Sequence, residues 1–576
     1  MSRSQWLVAE GDPAAEGRII AELGVNPFVA RLLVNRGITT PDSARLFIDA
    51  PLDSLLDPMT MTDMDKAVDR VIAARERKEK IVVYGDYDVD GVTATAILLR
   101  FFRAVGMETE YYIPLRAKEG YGLNIKALEQ IAAAGARLVI TVDTGINDLE
   151  AVANAAGMGL DVIVTDHHRP GDALPQAVAV LNPDRDDCPY ECKSLSGAGV
   201  AFKLCMAVRR ALGEKWMDKT KLPNLKRYLD MVAISAIADV TSLTGENRIL
   251  ALRGIEELDS TDKPGLDALK SVVMRDSGAV SARDIGFGIA PALNSAGRLG
   301  RADVGVELLL TEDKNKAFEI ARFLEKENAR RKDIQRAMLE EALAMAEKTV
   351  DPEKDRVVVL ASDSWKSGVA GIVASQIVDR YHMPTALVCF ENGMGKGSAR
   401  SIPSFNITSG LGMVGDVLEK FGGHDMAAGF TVRRENFEAF KSRLLAIAEK
   451  EIRQDDLRPI ARIDGEADVS CFDIATVRGM LALAPFGEGN PSPVFLARGV
   501  SFDEARYMGP EGQHVRLLSR GAAQAVGFNM ARLFPTKEVS DTLYDIVFSP
   551  EINVWANIER VQLRLIDVRK SSGKRG

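Results

Sequence analysis

The chain has 576 residues, 46% hydrophobic and 27% charged, with a formal net charge of −9. That length is too great for one hydrophobic core and predicts about three or four folding units. The composition is that of an ordinary soluble protein, neither disordered nor membrane-embedded, and the acid excess argues against a uniformly basic coat for nucleic acid while leaving local sites open.

The opening stretch MSRSQWLVAEGDP lacks the apolar run and small-residue cleavage site of an export signal. No later apolar run is long enough to cross a bilayer. Five scattered cysteines (Cys188, Cys192, Cys205, Cys389, Cys471) fit reduced thiols rather than a disulfide framework. The expectation is a cytoplasmic protein with no membrane association.

Residues 1–55 mix short apolar patches with turns and read as small helices. From Lys80 the pattern changes. IVVYGDYDVDG (81–91) is a β-branched run ending in alternating aspartates and a glycine, and a helical stretch, Val92–Ala104, follows it. LVITVDTG (138–145) and DVIVTDHH (161–168) repeat the plan, and AVAVLNPD (177–184) supplies a fourth short strand. Strands alternating with helices at this spacing predict a parallel sheet covered by helices over residues 56–310.

Residues 311–350 are highly charged, with an apolar stripe at Phe318, Ala321, Leu324, Ile334, Met338 and Leu343, which predicts a long connecting helix. A second, smaller α/β pattern occupies 351–455, with runs RVVVLASD (356–363) and TALVCFENG (385–393). Residues 456–576 are β-rich, with VRLLSR (515–520) and AQAVGFN (523–529), and suit a small barrel. The tail RKSSGKRG (569–576) reads as a solvated basic end. The fold class is therefore multidomain α/β with a C-terminal β-domain.

In an open parallel sheet, ligands bind beyond the carboxyl ends of the strands. Here the first strand ends in Asp86, Asp88 and Asp90, the second in Asp143, and the third in Asp166, His167 and His168. Asp239 closes the apolar helical run MVAISAIADV (231–240). A single strand-end aspartate is ordinarily a helix cap. So many acids at one edge would repel one another into protonation unless cations sat among them. Oxygen ligands with one or two imidazoles and no thiolate suit Mn²⁺ or Mg²⁺, and two such ions suit phosphodiester hydrolysis.

GDYDVDG, VDTG, TDHH and IADV, in this order and spacing, resemble the four motifs of the DHH phosphoesterase superfamily. LNPDR (181–185), SGAGVAFKL (196–204), LNSAGRLG (293–300), GVAGIVASQI (368–377), SARSIPSFNI (398–407), FGGHDMAAGF (421–430) and PFGEGNPSPVF (485–495) are similar to its RecJ exonuclease family. That resemblance implies a DHH catalytic domain, a DHHA1 substrate-binding domain and an OB-fold that binds single-stranded DNA. It implies two ions of Mn²⁺ or Mg²⁺ on Asp88, Asp90, Asp143, His167 and Asp239, with Asp143 bridging and Asp86 joining or supporting the shell. His168 would act on the phosphate and Asp166 would orient it. Arg298, Arg400 and His424, with Gly422 and Gly423, are the implied phosphate-gripping group.

Two positions depart from the family pattern: Lys366 stands after Trp365 where histidine is common, and Ala292 stands where a basic residue is common. The implied activity is 5′-to-3′ hydrolysis of single-stranded DNA in recombination and repair, and a monomer is expected. The implied protein partners are single-strand-binding protein, a helicase, and recombination and mismatch-repair factors. A phosphoesterase for short oligonucleotides or cyclic dinucleotides needs only the first two units, and the extra residues after Pro459 favour the longer substrate. A binding-only scaffold would not need an intact carboxylate shell.

Overall fold

The computed structural model describes residues 4–115, 119–120, 122–274, 278–298, 303–519, 524–536, 538–555 and 558–571. The chain forms two compact units. One comprises Gly11–Asn328 with Ala475–Pro493, and the other Met1–Glu10, Ala329–Ile474 and Val494–Gly576.

The first strand, β1 (Gln5–Val8), belongs to the second of these units. The first unit begins with three short helices, Pro13–Leu23, Pro27–Asn35 and Pro41–Asp49. Each has proline in its first turn behind a side-chain cap, from Asp12, Asn26 and Thr40 respectively, so the missing proline N–H costs no helical bond. The sheet follows: β2 (Lys80–Gly85), β3 (Thr109–Tyr112), β4 (Ala136–Val142), β5 (Asp161–Thr165) and β6 (Ala179–Leu181). Its order is β3-β2-β4-β5-β6, and all four pairings are parallel. The edge strand β3 has only four residues, too short for its pattern to stand out in the sequence.

Both faces of the sheet are covered, and the alternation of each strand sorts its side chains. Ile81, Val83, Leu138 and Ile140 join the larger core, while Val82, Tyr84 and Val139 join the smaller one on the opposite face. Register fixes where the strands stop. Gly85 pairs with Val142, Val142 with Thr165, and Thr165 with Leu181. The next residues are therefore Asp86, Asp143, Asp166 and Asn182, at the ends of four neighbouring strands.

Ala475–Pro493 packs within this unit although the chain around it does not. Arg36 Nε donates to Asn490 Oδ1 at 2.6 Å. Arg248 is buried, stacks on Phe47 and donates to the carbonyls of Phe47 and Leu483. The Leu243 amide donates to the Glu488 carbonyl at 2.8 Å.

The helix Lys314–Thr349 runs from the first unit into the second. Of the predicted stripe, Ala321, Leu324 and Met338 are buried, but Phe318 is 46% exposed, with the Arg322 guanidinium over its ring. Period alone had placed Phe318 on the stripe; near the start of the helix that position faces solvent.

In the second unit β7 (Val358–Ser362), β8 (Thr385–Glu391), β9 (Met394–Arg400), β10 (Lys420–His424) and β11 (Ala427–Arg433) form a mixed sheet of order β10-β11-β9-β8-β7. The β7–β8 pairing is parallel and the other three are antiparallel. β1 pairs with β12 (Ile460–Ile463). The C-terminal sheet has order β13-β14-β18-β19-β17-β16-β15. Its strands are β13 (Gly465–Glu466), β14 (Phe495–Ser501), β15 (Glu504–Met508), β16 (His514–Leu518), β17 (Gln524–Gly527), β18 (Leu543–Trp555) and β19 (Ile558–Lys570). A pairing of β13 with β15, which would close this sheet into a barrel, is not found among the described residues. Most of the basic tail lies outside the described residues, and among those described no helix is long and apolar enough to cross a membrane.

Candidate metal centre

Asp86, Asp90, Asp143 and Asp166 are 5%, 2%, 2% and 0% exposed. Burying four carboxylates at one edge is unfavourable without compensation. Asp88 caps the helix Val89–Ala104, accepting from the amides of Asp90 at 2.9 Å and Gly91 at 3.2 Å. A side chain at Gly91 would stand 2.6 Å from the backbone of Asp86, so this helix can approach β2 only through glycine.

Asp90 is gripped from a distant part of the chain. Its Oδ2 accepts from the Gly197 amide at 2.6 Å, and its Oδ1 accepts from the Ala198 amide at 2.8 Å and from Ser235 Oγ at 2.6 Å. Both amides open the helix Gly197–Lys215, whose positive end favours the carboxylate. A Cβ at Gly197 would lie 2.8 Å from that of Asp143. The sequence SGAG is thus part of the site, a role that its composition alone did not reveal.

Asp143 sits at φ 60, a left-handed conformation that aspartate tolerates better than most residues. His167 Nε2 lies 3.0 Å from Asp143 Oδ1 and 3.4 Å from Asp90 Oδ2, and its Nδ1 lies 3.7 Å from Asp239 Oδ2. Asp239 ends the helix Leu229–Ala238. Burial, then repulsion from Asp90, Asp88 and other neighbouring acids, pushes the Asp143 carboxyl well above the usual range. Burial followed by the charge of Asp90 raises Asp88, and the same two causes push Asp239 up to about 8.

Asp166 behaves in the opposite sense. Burial acts to raise it, but His168 and backbone donors outweigh burial and hold it below the usual carboxylate range. Asp166 accepts from the amides of Ile146, His167 and His168, and His168 Nδ1 lies 2.8 Å from its Oδ1. For His168 burial acts downward, yet the Asp166 partner prevails and pushes the imidazole up to about 9. Asn182, at the end of β6, donates to the His168 carbonyl at 2.8 Å. Asn294, from the LNSAGR stretch, accepts from the Val89 amide at 3.1 Å and so braces the first turn of the helix Val89–Ala104, between Asp88 and Asp90.

Three overlapping trios have donor atoms within 4.8 Å of one another: Asp86, Asp88 and Asp143; Asp90, His167 and Asp239; and Asp143, His167 and His168. The fold therefore brings together every metal-site position singled out in the sequence. Two trios without a common member, joined by a third that shares Asp143 and His167, fit a pair of hard divalent cations.

The predicted phosphate-gripping group lies in the other unit, except for Arg298, which ends the helix Ala290–Arg298 and whose side chain lies outside the described residues. Arg400 ends β9, donates to the Ala399 carbonyl at 2.8 Å and lies beside Gly371, where a Cβ would stand 2.6 Å from its guanidinium. Burial lowers its pKa from the ordinary value. Ala427 pairs with Arg400 on one side and with His424 on the other, so Arg400 and His424 share a sheet face two strands apart, roughly 10 Å. Gly423 has φ 150, and a Cβ there would meet the Ala427 carbonyl at 2.3 Å. Lys366 directly precedes the helix Ser367–Tyr381 and makes no side-chain capping bond, and Ala292 is fully buried.

Comparison with known proteins adds three family matches: the DHH family N-terminal domain over residues 80–236, the DHHA1 domain over 354–450 and the RecJ OB domain over 463–567. The chain is 38% identical over 575 residues to the single-stranded-DNA-specific exonuclease RecJ of Bacillus subtilis, covering 99% of this chain and 71% of that protein. It is 34% identical over 536 residues to the protein of the same name from Haemophilus influenzae, covering 90% and 92%. The crystal structure of RecJ in complex with Mn²⁺ from Thermus thermophilus superposes with a TM-score of 0.85 at 31% identity, covering 100% of this chain and 81% of that one. A Mg²⁺ complex of RecJ from the same organism matches with a TM-score of 0.79 at 30% identity, covering 100% and 80%.

Proposed function

The chain belongs to the RecJ family of single-stranded-DNA-specific exonucleases, and from that premise we propose how its own residues divide the work. It is a metal-dependent exonuclease that hydrolyses phosphodiester bonds of single-stranded DNA with Mn²⁺ or Mg²⁺. The observation that carries the assignment of the site is the set of overlapping acid and imidazole trios at the ends of β2, β4 and β5.

In this reading Asp86, Asp88 and Asp143 would hold one ion and Asp90, His167 and Asp239 the other, with Asp143 beside His167 linking the two sets. The ions supply an activated water and charge stabilisation at the phosphorus. His168, kept protonated by Asp166, donates to a phosphate oxygen or to the departing oxygen. Asp166 acts through His168 by fixing its ring and charge. Gly197, Ala198 and Ser235 hold the Asp90 carboxylate in place with their hydrogen bonds.

Arg400 and His424 grip a phosphate of the bound strand, with Gly422 and Gly423 leaving room for the backbone to approach it; Arg298 is assigned to the same task. The C-terminal sheet carries the strand onward, as OB-folds do with stacking and positive charge. Phe528 is exposed there, with its ring edge-on to His514, whereas Phe495 is core, packed on Phe472. The division into parts at 55, 310, 350 and 455, cleavage from the 5′ end, a monomeric state, a cytoplasmic location and a role beside single-strand-binding protein, a helicase or repair factors belong to the same reading.

The test is digestion of end-labelled single-stranded DNA, duplex DNA and RNA with Mn²⁺ or Mg²⁺. Stepwise loss from the 5′ end of single-stranded DNA is expected. Preference for the duplex, or release from the 3′ end, overturns the proposed direction and track.

A further inference from the structure

We propose that Phe287 is a stacking platform for a base of the single-stranded substrate, set on the rim of the metal centre and distinct from the phosphate-gripping residues. The inference rests on the exonuclease reading above. Phe287 is 79% exposed, whereas phenylalanine ordinarily gains by burial. It sits in a single π-helical turn, Ile285–Ile289, between a capped start at Ser281 and Asp284 and the helix Ala290–Arg298. Such turns insert an extra residue into a helix and recur at functional sites. Ile285 and Ile289 are buried, so the turn is anchored at both ends and its middle residue is turned outward.

The segment is tied to two limbs of the metal centre. A Cβ on Gly286 would lie 3.7 Å from Ile237 Cγ2, and Ile237 precedes Asp239 by two residues. Further along, Asn294 accepts from Val89, between Asp88 and Asp90. Chain geometry then keeps Phe287 within about 15 Å of Asp239, a few nucleotides at roughly 3.4 Å per stacked base. Val240, directly after Asp239, is 65% exposed and adopts φ 56, an outlying conformation for a β-branched residue. The rim beside Asp239 is thus apolar and held in an unusual shape, while the centre behind it is acidic.

A nucleobase is the occupant that this combination fits. A phosphate finds neither a hydrogen-bond donor nor a positive charge on a bare ring. Each base of single-stranded DNA offers a flat face, so stacking is tolerant of sequence. Gly286 and Gly288 flank the ring without side chains, leaving its face open. Duplex DNA has its bases already stacked and would gain nothing there, so the same contact favours single strands.

The test uses the full chain with Mn²⁺, comparing wild type, Phe287→Ala and Phe287→Trp on an oligodeoxynucleotide and on versions with one abasic site moved through the nucleotides nearest the cut end. The expected result is a rise in KM of about five- to a hundredfold for Phe287→Ala, with kcat within about twofold and an unchanged melting temperature, while Phe287→Trp keeps the wild-type KM. At one abasic position the wild type should lose a similar factor and Phe287→Ala nothing further, as contacting partners do in a double-mutant cycle. An unchanged KM in Phe287→Ala, or an abasic penalty that persists at every position in that variant, overturns the proposal. A wild type that fails to cut single-stranded DNA would instead sink the exonuclease reading itself.

Discussion

In the parallel sheet Asp86, Asp143 and Asp166 leave adjacent strands in one row and are buried, whereas on the mixed sheet Arg400, Ala427 and His424 share a row that ends on an exposed outer strand. Around the first row, burial and then the crowding of like charges drive Asp88, Asp143 and Asp239 toward protonation. The second has one half-buried guanidinium, an exposed imidazole and glycines. A parallel sheet gathers side chains because all its strands end on the same side. An antiparallel hairpin offers a surface rather than a converging edge. In the proposed reading the tasks are therefore separate: the first region requires cations, and the second binds an anion without them.

The sharpest way to break that contrast is Asp143→Asn, which keeps the volume and tolerates φ 60. Cleavage should fall about a thousandfold or more, because Asp143 belongs to two of the three trios. DNA affinity measured in EDTA should be unchanged or higher, since one repelling charge is gone. Retention of full cleavage would remove Asp143 from the centre.

On the other sheet, Arg400→Ala should raise KM by about ten- to a hundredfold, the value of a charged hydrogen bond to phosphate. The Mn²⁺ concentration for half-maximal rate should stay where it was. Arg400→Lys should recover part of the loss, because lysine keeps the charge without the fork. A shift in metal requirement with either variant would show that the two regions are not separate in function.

Much of this contrast was legible in the sequence, and the reason is local. Asp86, Asp88, Asp90, Asp143 and the two histidines each follow a strand whose alternation and β-branching are strong, so strand ends and ligands could be read together. What holds those ligands was hidden. Gly197, Ala198 and Ser235 reach Asp90 from more than a hundred positions away, and Asn294 reaches Val89 from two hundred. Phe287 was missed because a π turn has no periodic signature. The mixed second sheet was read only as α/β, since its glycine-rich strands β9 and β10 lack the apolar alternation that marks a strand.

The same hidden contacts give a third test. Gly489, at φ 72, would place a Cβ 2.2 Å from Ser242 Oγ, and the neighbouring Glu488 carbonyl accepts from Leu243. This turn presses on the loop that follows Asp239. Gly489→Ala should therefore raise the Mn²⁺ requirement about tenfold, a typical cost of disturbing what orients a ligand, with rate restored by excess Mn²⁺. An unchanged metal titration would make the turn a structural brace only.

The smallest effect separates the two regions by stability rather than rate. Asp143 and Asp239 have folded-state carboxyls raised above their unfolded values, Asp239 to about 8. Such a group favours the folded state fully below the unfolded carboxylate range and loses that contribution as pH rises through its folded value. His168, raised to about 9, acts in the same direction, and Asp166, which is lowered, costs stability only in acid below the usual carboxylate range. In EDTA the melting temperature should accordingly decline from about pH 5 to pH 8 by a few degrees. Mn²⁺ should flatten that decline, because ions that bind only the folded protein stabilise it and neutralise the repulsion. Asp239→Asn should reduce the slope in EDTA and weaken the response to Mn²⁺, whereas Arg400→Ala should alter neither. An equal decline in wild type and Asp239→Asn would mean that the crowding of these acids is relieved by something other than the bound cations.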